Sequence, residues 1–250
     1  MSKVIKTNLK KVVRLLHQKG VLTAAYLHKA GVSYQLIRKY RQSNWLSSLG
    51  AGAFCEPGST PSFDAALVAL AEQHGLPVHL GAKAALARRG VMQYVPLGGL
   101  PSELYLRRGH RLPKWFSDVF TGQFVRNSSC LLSDDAGVER DAAGCRVSSP
   151  ERAFIELAEE VPKKVALGEL YQLLEFAETL RPRLVTELLS ECASVKAKRV
   201  FLFLADDLGH WWSKKLDRSK IDLGSGCRVI ERGGAFQSKY NIVVKPWREY

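Results

Sequence analysis

Residues 1–55 contain ten Lys and Arg and no Asp or Glu, although acidic residues are common later in the chain. Apolar side chains recur through the same stretch at helical spacing, so its cations must decorate a folded module and not a disordered tail. Val4, Leu9, Val12, Val13, Leu15 and Leu16 make one stripe ahead of Gly20, leaving Lys3, Lys6, Lys10, Lys11, Arg14 and Lys19 to solvent. Thr23 is placed to cap a short helix, TAAYLHKA. Gly31 suits a sharp turn with positive φ, and Ser33 is placed to cap a third helix over residues 33–43. Two short helices joined through such a turn predict a helix-turn-helix. In NWLSSLGAGAFC, Trp45, Leu46 and Leu49 precede the Gly50-Ala51-Gly52 corner, and Ala53, Phe54 and Cys55 follow it. That is the pattern of a small hairpin, which here would be the wing of a winged helix-turn-helix.

This module supplies +10 of the chain's formal +13, and the remainder is nearly balanced. A cationic surface of that kind suits a polyanion. At 250 residues with 46% hydrophobic content, the chain has room for two or three cores. EPGSTPS, at residues 56–62, reads as a linker. The expected domains are therefore 1–60 and 61–250, with a subdomain break near residue 147. No apolar run approaches the roughly 18 residues of a membrane span, and the amino end lacks the apolar block of a secretory signal. Its basic composition could imitate an organellar transit peptide, but it runs without a break into the helical pattern; a soluble, cytoplasmic protein is expected. Cys55, Cys130, Cys145, Cys192 and Cys227 are odd in number and scattered, which fits reduced thiols better than zinc or a redox pair.

Beyond the linker, FDAALVALAEQHG predicts a helix capped by Ser62, PVHL a strand and GAKAALARRG another helix. Residues 97–147 look strand-rich, with ELYLRR, GQFVR and CRVSS as candidates. SSPERAFIELAEE is a strong helix start, with Ser149 as cap and Pro150 at the first helical position. Helices are expected through GELYQLLEFAETL, PRLVTELLSECA and VKAKRVFLFLADDLGHWW. CRVIERGGAFQSKYNIVV then closes the chain as two alternating runs around Gly233-Gly234. The fold class is α+β: an N-terminal winged helix-turn-helix, then a larger mixed α/β region ending in a β-hairpin.

On the third helix, Val32, Leu36, Ile37 and Tyr40 have the spacing of a buried face, so Tyr34, Gln35, Arg38, Lys39, Arg41 and Gln42 fall opposite. Arg can pair with guanine N7 and O6, and Gln with adenine, when such a helix enters the major groove. Gln35 and Arg38 are the candidate base readers. Lys39 and Arg41 lie nearer the helix edge, where they would meet phosphates. Ser33, Ser47 and Ser48 add small polar groups at the helix start and on the wing, although a surface turn explains the wing serines equally well. Lys10, Lys11 and Arg14 on the first helix are candidate backbone contacts. The competing reading is a winged domain that binds another protein. LRRGHRLPKW forms a second basic patch of Arg107, Arg108, His110, Arg111 and Lys114, beside Trp115 as a potential stacking platform.

Catalysis finds little support. Asp134-Asp135, Glu139 with Asp141, and Asp206-Asp207 are the carboxylates that a metal-dependent nucleic-acid-processing enzyme would need, but they read as turns and a helix end. Gly224-Ser225-Gly226 lacks the paired aspartates that follow such a loop in nucleotidyltransferases. His210 has no G-x-S-x-G partner. It reads as a structural imidazole, with Trp211, Trp212 and Tyr240 closing a core. No cofactor or metal is expected.

VLTAAYLHKAGVSYQLIRKYRQSNWLSSLGAGAF, then VSSPERAFIELAEEVP, then VKAKRVFLFLADDLGHWW and IDLGSGCRVIERGGAFQSKYNIVV together resemble the AbiEi antitoxin family of abortive-infection type IV toxin-antitoxin systems. The resemblance implies a non-enzymatic phage-defence antitoxin that represses its own operon by binding inverted repeats in double-stranded DNA through the winged domain. It also implies that the C-terminal region counters a nucleotidyltransferase toxin of the AbiEii kind without requiring a stable complex. The DNA-reading role then falls on residues 33–43 and the wing. A plain transcriptional repressor without a toxin is the remaining alternative.

Overall fold

The computed structural model describes residues 3–91 and 101–245; side chains at positions 3–7 and 129 lie outside this description, as does the start of the expected strand-rich span at Leu97. The placement of Val4, Lys3 and Lys6 on the first helix therefore concerns backbone alone. Two compact units make up the chain. The first comprises Met1–His79, Leu106–Arg126 and Arg140–Arg146, and the second Leu80–Tyr105, Asn127–Glu139 and Val147–Tyr250. The first carries seventeen Lys and Arg against five Asp and Glu, so +12 of the chain's +13 resides in it.

The first unit opens with α1 (Lys3–Lys19), β1 (Leu22–Thr23), α2 (Ala24–Lys29) and α3 (Tyr34–Gln42), then β2 (Ser47–Gly50) and β3 (Ala53–Cys55). The anticipated caps are present: Tyr26 N donates to Thr23 Oγ1 at 3.1 Å and Leu36 N to Ser33 Oγ at 3.3 Å. Gly31 has φ +87° between the helices, a conformation that costs glycine little. Val12, Leu16, Leu22, Leu27, Val32, Ile37, Tyr40, Leu46 and Phe54 form the core, each large side chain contributing roughly 1.5–3 kcal/mol by leaving water. The antiparallel sheet has the order β1-β3-β2, with a register shift between Ser48 and Gly50. Together these elements form a winged helix-turn-helix.

α4 (Phe63–Glu72), capped by Ser62, belongs to the same unit. Gln73 ties it to β1, accepting from Thr23 N and donating to the Val21 carbonyl, each at 2.7 Å. A later element of this unit, α6 (Lys114–Val119), was not anticipated. Its signal was present in the period of Trp115, Phe116, Val119 and Phe120. Trp115 and Phe116 are buried, and Phe63 packs edge-on to Phe120.

A five-stranded sheet contains β4 (Val78–Leu80), β5 (Ser102–Arg107), β6 (Phe124–Ser129), β7 (Val138–Arg140) and β8 (Arg146–Ser148), in the order β6-β5-β4-β8-β7. The division of the chain falls within these strands. The short helix α5 (Ala82–Arg88) follows β4. Helices α7 (Pro150–Glu160), α8 (Leu167–Glu175), α9 (Pro182–Glu191) and α10 (Val195–Leu208) build the rest of the second unit, with β9 (Arg228–Val229), β10 (Ala235–Gln237) and β11 (Ile242–Val244).

The terminal hairpin is β10 with β11, which turns at residues 238–241, and β9 joins β11 in parallel. The expected turn is present at residues 232–233, but it joins β9 to β10, which lie on opposite sides of β11, so the hairpin itself turns at 238–241. Gly234 serves close approach, because a Cβ there would sit 2.2 Å from the carbonyl carbon of Val244. Trp212 and Tyr240 are buried as expected, whereas Trp211 is half exposed with Lys215 over its ring. His210 stacks on Trp212 and bonds through Nε2 to the Leu174 carbonyl at 2.9 Å, a structural role.

Candidate nucleic-acid interface

Ile37 and Tyr40 anchor α3 in the core, and burial raises the Tyr40 phenol above its usual pKa. Leu36 is half-buried beside them, while Tyr34, Gln35, Arg38, Lys39, Arg41 and Gln42 are exposed. The polar and basic face therefore points to solvent. Tyr34 is held by parallel stacking on His28, with ring centroids 4.7 Å apart. The Arg41 guanidinium lies over the Phe54 ring, which braces it against the wing strand β3. A concavity of about 400 Å³ is lined by Arg38, Arg41, Gln42, Asn44, Leu46, Ser47 and Ser48, at the junction of α3 and the wing. Two guanidiniums, two amides and two hydroxyls make it an anion-accepting surface.

Other candidates are less uniform. The capping Ser33 is exposed, and Ser48 Oγ donates to the Gly50 carbonyl at 3.1 Å, so its proton is already committed within the wing. Lys10 and Arg14 are exposed on α1. Lys11 donates to the Ala30 carbonyl at the C-terminus of α2, so its ammonium already braces the helix-turn-helix. Arg107, Arg108, His110, Arg111 and Lys114 are all exposed in the first unit. Trp115 is only 2% exposed and donates from Nε1 to His74 Nε2 at 3.4 Å, which rules it out as a stacking platform for bases.

In the second unit the sequence signatures bind scaffold. Ser149 Oγ caps α7 through Arg152 N at 3.3 Å. Burial pushes the Glu151 carboxyl up, but bonds from the Arg181 side chain and backbone outweigh it and hold the group low. Buried Arg152 donates to Glu156 Oε1 at 2.8 Å and to the carbonyls of Ser133 and Ala136. Glu156 also accepts from Ser148 Oγ and Ala82 N. Arg199 and Lys198 hold residues 222–226 from beneath through backbone carbonyls, so Gly224-Ser225-Gly226 is an arginine-clamped loop. Sequence reasoning missed these buried cations because their partners are distant carbonyls, which leave no local pattern.

The carboxylates considered for metal chemistry are dispersed. Glu139 pairs with Arg89 and Arg181, Asp141 accepts from Ala143 N and Cys145 N in its own turn, and Asp206 is surrounded by Lys239, Tyr240, Ser213 and Arg218. Among the described residues, no three His, Cys, Asp or Glu gather as a metal site, and no helix is long and apolar enough to cross a membrane. All five cysteines are unpaired; Cys130 and Cys227 are exposed.

A winged helix-turn-helix with an outward-facing basic third helix, followed by a larger α+β region, places the chain among winged-helix proteins of the transcriptional-regulator kind. Family models narrow this further: one described as transcriptional regulator, AbiEi antitoxin, type IV TA system matches residues 103–245, and one for the AbiEi antitoxin N-terminal domain matches residues 5–97. The chain belongs to the AbiEi antitoxin family. Among solved structures it is similar to the crystal structure of the RV2827C protein from Mycobacterium tuberculosis, at 18% identity and a TM-score of 0.58, over 95% of this chain and 91% of that one. That likeness concerns the fold. No curated protein matches the chain.

Proposed function

We propose that this protein represses its own toxin-antitoxin operon by binding inverted repeats in the promoter, and that its C-terminal region counters a nucleotidyltransferase toxin of the AbiEii kind. DNA recognition is assigned to residues 1–60 and the antitoxin activity to 61–250, with a subdomain break near 147. The protein acts in the cytoplasm, without catalysis of its own and without requiring a stable complex with the toxin. Gln35 and Arg38 read base edges. Lys39, Arg41 and Ser47 hold phosphates, aided by Lys10 and Arg14, while Ser48 shapes the wing turn through its bond to Gly50, Ser33 and Tyr34 set the helix start and Gln42 closes the face. The observation that carries this reading is the exposed cationic face of α3, within a unit that concentrates +12 of the net charge.

The test has two arms on the full chain. Binding to a duplex from its own promoter should weaken with salt; about five phosphates held by the winged module alone give a slope of log affinity against log salt near −4.5, and any further contact steepens it. Arg38→Ala should cost about 1–3 kcal/mol and relax the sequence preference. Salt-indifferent binding, or an unchanged footprint for Arg38→Ala, counts against the assignment. In the second arm the neighbouring gene is co-expressed with the wild-type chain and with Arg38→Ala. Rescue of growth by both, with derepression only in the variant, separates antitoxin from repressor activity. Turnover of DNA or RNA by the pure protein with Mg²⁺ would favour an enzyme instead.

A further inference from the structure

The wing carries no charge of its own: residues 44–55, NWLSSLGAGAFC, contain neither Lys nor Arg. A hairpin of that composition offers phosphates only hydroxyls and backbone N–H groups. Cations do, however, lie next to it in space. α6 packs against β2 within the first unit, so closely that a Cβ on Gly50 would lie 2.8 Å from the Cβ and 3.2 Å from the Cα of Trp115. Trp115 is buried, but the residue before it, Lys114, projects outward with its side chain 86% exposed. Its pairing with Asp118 at 2.7 Å is between two solvent-exposed groups, which holds an ammonium only weakly.

Arg107 ends β5, and Arg108 and Arg111 are exposed on the loop that runs from it to Lys114. Arg126 Nη2 donates to the His110 carbonyl at 2.8 Å and pins that loop from β6, so the cations sit on a braced segment. Across residues 106–126 there are five Lys and Arg against the single acid Asp118.

We propose that Lys114, which opens α6 beside the wing, together with Arg108 and Arg111 on the loop that leads into it, forms a second DNA contact that holds backbone phosphates flanking the half-site read by α3. The inference rests on the DNA-binding reading above and extends its contact surface beyond the winged module. Phosphate contacts fix position without reading bases. The loop therefore contributes affinity and salt dependence, and leaves sequence preference to Gln35 and Arg38.

The probe is a fluorescein-labelled duplex selected from random-sequence DNA by the full chain, titrated across a range of salt. The triple variant Arg108→Gln/Arg111→Gln/Lys114→Gln should reduce the magnitude of the salt slope by about 2.7 and weaken binding at least tenfold at low salt, with the selected sequence unchanged. A slope and affinity equal to wild type overturn the proposal. Lysine acylation read by mass spectrometry on the wild-type protein gives a second measurement that no folding defect can obscure. Lys114 should be protected by the bound duplex, and an unprotected Lys114 overturns the proposal equally. If the wild-type chain itself shows no salt-dependent binding, the DNA-binding reading fails. If Arg38→Ala loses preference while the triple variant matches wild type, only this second contact fails.

Discussion

Arg199 Nε donates to the Leu223 carbonyl at 2.8 Å, across 24 residues of chain. The same guanidinium reaches the carbonyls of Gly226, Asn241 and Gly224, at 2.6, 3.0 and 3.1 Å. At 1% exposure this cation is neutralised by backbone dipoles and not by a carboxylate. The planar fork is what allows one side chain to satisfy so many acceptors; a Lys ammonium at that position is a point charge with three donors. Arg199→Lys should therefore strand buried carbonyls and lower unfolding free energy by roughly 2–3 kcal/mol, with Arg199→Ala costing more. Urea unfolding checks both, and an Arg199→Lys variant as stable as wild type would show that the clamp is dispensable.

Asp206 joins the end of α10 to the terminal hairpin. Burial pushes its carboxyl up, but hydrogen bonds from Lys239, Tyr240, Ser213 and Arg218 outweigh this and hold the pKa down at about 2. A depressed folded-state pKa stabilises the protein above the unfolded value, near 3.8, and the contribution disappears as pH falls towards 2. Its size is on the order of 2 kcal/mol, since one pKa unit corresponds to about 1.4 kcal/mol. Asp206→Asn should remove this acid-sensitive part, so the stability difference between wild type and variant should shrink between pH 4 and 2. A difference constant over that window would contradict the linkage.

The parts of this fold that were legible in the sequence are those governed by local rules. Thr23, Ser33, Ser62 and Ser149 mark helix starts, because a capping hydroxyl needs only the amides two or three residues on. Ile37 and Tyr40 betray the inward face of α3 by their period, and the exposed cations follow from it. What escaped depends on distant partners. Trp115 reads as a nucleic-acid platform from its basic neighbours, but Gly50 and His74 enclose it. Gly233-Gly234 reads as the turn between the last two runs; a turn is there, but it joins β9 to β10, while the hairpin turns at residues 238–241 and Gly234 makes room for the Val244 backbone. Arg152 and Arg199 carry no local mark of their role and are interior clamps.

Lys11 separates two effects that a cation on α1 can have. Its bond to the Ala30 carbonyl supports the last turn of α2, where a positive charge also meets the negative end of the helix. Lys11→Ala should cost about 1 kcal/mol of stability. Lys10 and Arg14 are exposed, so Lys10→Ala and Arg14→Ala should leave stability within about 0.5 kcal/mol. Each should instead lower the magnitude of the DNA salt slope by about 0.9. Thermal melts and salt titrations on the three variants test the distinction, and a stability loss for Arg14→Ala equal to that of Lys11→Ala would remove it.

Gly31 and Gly50 both adopt positive φ, at +87° and +146°, but in different surroundings. A Cβ at residue 31 meets nothing within 4 Å, so Gly31→Ala bears only the dihedral cost, roughly 1 kcal/mol. At residue 50 the dihedral cost is joined by overlap with Trp115 Cβ at 2.8 Å and Cα at 3.2 Å. Backbone on one side and a buried indole on the other leave little room for relief, and overpacking of this kind costs about 1–3 kcal/mol more. Gly50→Ala should therefore destabilise clearly more than Gly31→Ala in urea unfolding. It should also weaken DNA binding at constant sequence preference, because the same contact carries Lys114 beside the wing. Equal destabilisation by the two variants would mean that the wing and α6 can separate without loss.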